Sequence, residues 1–138
     1  MWEIEQHDGF GKRLKDFQKR HRQELANALD NADTFLKALR AGSRPAQIKR
    51  GFIHPEPKGV LAFDQSGDGK HLKAIRLYTY PDEDTETVHF ITLGDKSTQK
   101  EDIKVSSGFV EGLLRSKRTE AQEKQNQPPS NEKNKADG

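Results

Sequence analysis

Two runs rich in branched and aromatic residues, LKAIRLYTY at 72–80 and TVHFITL at 87–93, flank the polar turn PDEDTE. Such side chains fit the pleated surface of a strand, and a short polar connection between two such runs folds them into an antiparallel hairpin. A sheet built on this hairpin needs an apolar cover on at least one face. The cover lies upstream: Phe10, Leu14, Phe17, His21, Leu25, Ala28 or Leu29, and Ala32 recur three or four positions apart, as one stripe of an amphipathic helix requires.

The rest of the chain fits around that pairing. Trp2, Ile4 and Gln6 alternate with Glu3, Glu5 and His7, which reads as a short first strand ending at Asp8-Gly9. Asp30-Asn31 weakens the helix, because both side chains compete for nearby backbone groups. Asp33 is placed to cap a second segment that buries Phe35, Leu36 and Leu39, with Gly42 at its end and Pro45 beyond. The pattern is an antiparallel helix pair or one bent helix. GVLAFDQ at 59–65, preceded by the proline-bracketed HPEP, reads as another strand closed by the turn SGDGK. The block GDKSTQKEDI at 94–103 then leaves the last strand. Ser97 caps a C-terminal helix there, or Thr98 does so in a capping box with Glu101. Ile103, Phe109, Val110, Leu113 and Leu114 form its apolar side, and Gly108 and Gly112 make it depend on packing. The expected class is α+β: a short N-terminal strand, a helical pair, a three-stranded antiparallel sheet and a C-terminal helix.

Only 30% of the 138 residues are apolar and 33% are charged, which is little core material for the length. Residues 116–138 contain no aromatic, Leu, Ile or Val and include a proline pair, so the expected division is a domain at 1–115 and a disordered polar tail. With no cysteine, disulfides and thiol chemistry are excluded. There is no run of about 18 apolar residues to cross a membrane, and the opening MWEIEQHDGF lacks the basic start and apolar core of a signal peptide, so a cytoplasmic address is expected. The net charge is +2, yet Lys12, Arg13, Lys15, Lys19, Arg20 and Arg22 crowd the first helix, either as a solvated face or as an attractor for phosphate or an acidic partner. SGDGK lacks the spacing of a phosphate loop, and Asp64, Asp68 and Asp82 to Asp84 lack that of a calcium loop, so no metal or cofactor is expected.

The order of elements, Arg76 in the strand end RLYTY, and the GDK, then S or T, Q, DI pattern of the 94–103 block together resemble the RelE/ParE family of bacterial toxins, including HigB-like killer proteins of type II toxin-antitoxin systems. The likeness covers residues 48–115 and extends loosely to the helical pair. It implies a RelE/ParE-like toxin domain that inhibits translation as a ribosome-dependent, metal-independent endoribonuclease acting on messenger RNA, held in check by a cognate antitoxin protein. It equally admits a gyrase poison or non-catalytic binding module of the same fold, or a non-toxic orphan or phage-derived relative. Many nuclease members carry a histidine or aromatic acid/base residue in the C-terminal segment, whereas no His or Tyr follows Lys96 here.

Metal-free RNA cleavage needs a base for the 2′-hydroxyl, an acid for the leaving 5′-oxygen and cations for the phosphate. Arg76 is the candidate phosphate clamp, its plainer role being an ion pair with Asp64 or Asp95. His54, between Phe52-Ile53 and the rigid Pro55-Glu56-Pro57-Lys58, is the candidate acid or base, with Lys58 a second phosphate contact. Lys96, after a glycine at a strand-to-helix junction, is the fourth catalytic candidate. Tyr78, on the face of its strand that carries Arg76, is the candidate for stacking on a base, and Lys73 and His89 complete the RNA-binding set. The plainer reading of Tyr78 is packing, and of His89 a core histidine alternating with Ile91 and Leu93.

Overall fold

The computed structural model describes residues 1–65 and 72–126. In chain order these form β1 (Glu3–Gln6), α1 (Asp8–Arg20), α2 (Arg22–Arg40), β2 (Ile53–Pro55), β3 (Leu61–Gln65), β4 (Ile75–Asp82), β5 (Thr87–Asp95) and α3 (Gln99–Asn126), with short 3-10 turns at Pro45–Gln47, Pro57–Gly59 and Lys96–Thr98. The α+β class stands, but the sheet is larger than the three antiparallel strands expected. It has five strands in the order β1-β5-β4-β3-β2. It is also mixed, because β1 runs parallel to β5 while every other neighbouring pair is antiparallel. The expected N-terminal strand, β1 with four residues, joins this sheet, as does β2 with three, and both are too short for alternation alone to show where they pair.

The helical cover breaks at a different place from the one expected. His21, with φ −138° and ψ 53°, separates α1 from α2, and α2 then runs unbroken through Asp30-Asn31. Burial of Leu25, Ala28, Ala32, Phe35, Leu36 and Leu39 outweighs the weak helix propensity there. The competition expected from these side chains does not arise: Asp30 faces solvent, and Asn31 Nδ2 donates to the Asp64 carbonyl 2.8 Å away on β3.

Neighbouring strand residues face opposite sides, so the sheet carries two cores. Phe63, Leu77 and Phe90 pack with Phe10, Phe17 and Phe35 beneath α1 and α2. Ala62, Tyr78 and Ile91 pack with Val110 beneath α3. A register shift between Tyr78 and Thr79 lets β4 and β5 keep both faces filled. Helix α3 continues to Asn126, so residues 116–126 of the expected tail are helical. That stretch is rich in good helix formers, and Lys117 Nζ anchors it to Asp82 at 2.7 Å and Asp84 at 2.9 Å. The SGDGK turn and residues 127–138 lie outside the described residues.

The 94–103 block is mostly architecture. Asp95 caps the 3-10 turn that leads into α3, with its Oδ1 accepting from the Ser97 amide at 2.8 Å and hydroxyl at 2.6 Å. Thr98 Oγ1 donates to Asp102 Oδ2 at 2.6 Å. Arg13 reaches across from α1, donating to the Leu93 carbonyl at 2.8 Å and lying 3.4 Å from Asp102 Oδ1. Burial pushes the Asp102 carboxyl up, against the Thr98 hydrogen bond and Arg13. Asp95 moves the other way. Its partial burial acts to raise it, but hydrogen bonds from Ser97 and Lys73 prevail and hold it at about 2. A carboxyl depressed in the folded state stabilises above its unfolded value and loses that contribution as pH falls through the folded one. Asp95→Asn is therefore expected to lower unfolding free energy by about 2 kcal/mol at pH 7 and by progressively less from about pH 4 towards pH 2, as read by urea titration.

Candidate functional site

Antiparallel register sets Asp64 of β3 directly opposite Arg76 of β4, and Arg76 opposite Gly94 of β5. Their side chains emerge on the face that carries α3. Arg76 Nε lies 2.6 Å from Asp64 Oδ1, and a second guanidinium nitrogen lies 3.4 Å from Glu56 Oε1. The nearer contact is a meeting of opposite charges rather than a well-directed hydrogen bond, since Asp64 Oδ1 has no partner of good geometry. His54 comes in from β2, with Nε2 2.6 Å from Asp64 Oδ2. Asp64 thus bridges an imidazole and a guanidinium. The backbone fixes the arrangement: the Asp64 amide donates to the Phe52 carbonyl at 2.7 Å, the Glu56 amide to Val60 at 2.8 Å, and Asn31 holds the Asp64 carbonyl.

The patch is partly open, with 44% of the His54 side chain exposed, 26% of Arg76 and 14% of Glu56. A cavity of about 260 Å³ beside it is lined by Asp64, Arg76, Asp95, Lys96 and Gln99 among others. It brings Arg76 and Lys96 to one opening. A larger hollow of about 530 Å³, between Pro45, Ile48, Ile53 and Leu61, offers neither histidine nor carboxylate.

The remaining candidates are placed as follows. Lys58 adopts the left-handed backbone conformation, φ 67°, and its Nζ lies 3.5 Å from Glu111 Oε1 of α3, outside the lining of the smaller cavity. Lys73 Nζ pairs with Asp95 at 3.0 Å, so of the two acids named for Arg76 it is Asp64 that it meets. Tyr78 is wholly buried beneath α3, and burial pushes its hydroxyl up to about 12. His89 is 6% exposed. Neither can stack on a base without opening the core, which removes both from the expected RNA-contact set. Within the basic cluster of α1, Arg13 serves the Leu93 carbonyl and Asp102, and Arg20 pairs with Asp16 at 2.6 Å, while Lys12, Lys15 and Lys19 stay exposed.

Among the described residues no helix is long and apolar enough to cross a membrane. No protein-family model, no curated protein and no solved structure matches the chain.

Proposed function

We propose that the chain is a toxin-like protein of the RelE/ParE type that cleaves RNA without a metal, its natural targets being messenger RNA on the ribosome and its regulator a cognate antitoxin protein. The observation that carries this is the gathering of His54, Glu56, Asp64 and Arg76 on one open patch with Lys96 at the adjoining cavity. Asp64 takes the Nε2 side of His54, which leaves Nδ1 to accept a proton from the ribose 2′-hydroxyl. The freed O2′ attacks phosphorus, and negative charge builds on the non-bridging oxygens. Arg76 has donors beyond the two that face its carboxylates and directs them at those oxygens. The Lys96 ammonium gives a proton to the departing 5′-oxygen. The products are a 2′,3′-cyclic phosphate and a 5′-hydroxyl.

The test is end-group analysis of a short RNA, and of messenger RNA in a translating extract, after incubation with the purified protein. Cleavage with those two end groups is expected, and His54→Gln should slow it by about 10²- to 10⁴-fold. An intact substrate in both assays would sink the reading. One observation favours the non-catalytic alternative: two carboxylates already neutralise Arg76. In that case the protein inhibits translation or supercoiling equally well as wild type and as His54→Gln, and no RNA is cut.

A further inference from the structure

Glu5 and His7 are two positions apart at the end of β1, which puts both on one side of an extended chain. Glu5 lies beside His89 in the parallel register of β1 and β5. His7 Nε2 is 2.9 Å from His89 Nδ1, and Glu5 Oε2 is 3.5 Å from that same nitrogen. One donor atom from each residue falls within 4.8 Å of the other two. Ligand atoms held about 2.0–2.2 Å from one zinc-type ion stand roughly 3–3.5 Å apart at angles of ~90–110°. The two separations at His89 match the ends of that range, so small side-chain rotations admit an ion between the three groups.

We propose that Glu5, His7 and His89 form a binding site for one divalent transition metal ion of the zinc type, with a fourth position open to water. Two imidazoles and a carboxylate are the donor set of zinc, nickel or copper rather than of calcium or magnesium. Without an ion the cluster is poorly satisfied. The two facing ring nitrogens of His7 and His89 share a single proton across 2.9 Å, and Glu5 stands too far for a good hydrogen bond. Phe109 walls the site, its ring 4.5 Å from that of His7 and 5.3 Å from that of His89, while 59% of the Glu5 side chain is exposed and leaves a way in. The ion would clip the short edge strand β1 to β5. No run along the chain announces such a site, because 82 positions separate His7 from His89. None of the three belongs to the RNA-cleavage patch, so either reading can fail without the other.

The test is calorimetric titration of the tag-free full chain, stripped with chelator, with Zn²⁺ alone, and a parallel titration with Co²⁺ read by its visible d–d absorption. One equivalent is expected to bind, to raise the melting temperature, and to give the intense Co²⁺ bands of a four-coordinate site. Glu5→Gln should weaken binding at least about tenfold, and His7→Gln should abolish it. Absence of saturable binding at one equivalent, or unchanged affinity in either variant, overturns the site. Should a variant fail to fold by circular dichroism, the wild-type Co²⁺ spectrum decides, and six-coordinate, weakly absorbing cobalt overturns the proposal.

Discussion

Gly94→Ala is expected to cost about 3–5 kcal/mol of stability and to lower the melting temperature by about 10–20 °C. A methyl group at residue 94 would collide with the Asp102 carboxylate and the Thr98 hydroxyl, neither of which is the loose end of a long chain. Asp102 is 1% exposed and is held by Thr98 and Arg13, so it can move aside only by giving up both partners within the core. The carboxylate would then be buried and unpaired, which is the expensive way to break such a pair. The constraint is close approach, since Gly94 carries no positive φ. Gly108→Ala is the control: a Cβ there meets nothing within 4 Å on an exposed stretch of α3, so it should stabilise the protein by about 0.5–1 kcal/mol. Thermal unfolding of the two variants beside wild type reads both. A Gly94→Ala protein that melts with wild type would refute this account of the block.

If the protein cleaves RNA as proposed, Arg76→Ala should reduce translation inhibition by about 10²- to 10³-fold in a cell-free extract titrated with wild type and variant side by side. Two effects combine. The guanidinium that the proposed mechanism sets against the developing charge on phosphate would be lost, and Asp64 and Glu56 would be left as neighbouring carboxylates without their common partner. Those acids would repel the incoming phosphate as well as each other. Arg76→Lys separates the contributions, because an ammonium keeps the charge but cannot span both carboxylates and a phosphate. It should recover the stability lost in the alanine variant while regaining little activity. Equal inhibition by wild type and Arg76→Ala would remove Arg76 from the mechanism.

What the sequence disclosed follows the range over which each signal acts. The β4-β5 hairpin and the start of α3 were legible because period and turn chemistry act within a dozen residues, whereas the helical residues 116–126 carry no apolar period and read as tail. The break at His21 was not, since the choice between it and Asp30-Asn31 was settled by Phe35 packing on Phe63 and by Asn31 reaching the Asp64 carbonyl, both contacts with a distant strand. The place of β1 was hidden for the same reason: its partner lies more than 80 positions away, and four residues hold too few alternations to indicate it. Among site residues, the Arg76 pairing with Asp64 was foreseen as one of two options because both lie on adjacent strands. The burial of Tyr78 was likewise one of two readings, packing beside base stacking, and stayed open because one strand face looks the same from sequence whether a helix lies over it or not.

The two margins of the sheet are its shortest strands. β2 has three residues and ends in Pro55, which has no N–H to offer a newcomer, and β1 has four, with Glu3 and Glu5 both exposed. The longest strands, β4 and β5, are enclosed between other strands and under helices on both faces. A long, flat, apolar margin invites another chain to add a strand and begin a fibril, whereas short margins carrying proline and like charges refuse it. The strands most able to template aggregation are thus the least reachable, and the two that another chain could reach carry proline or like charges.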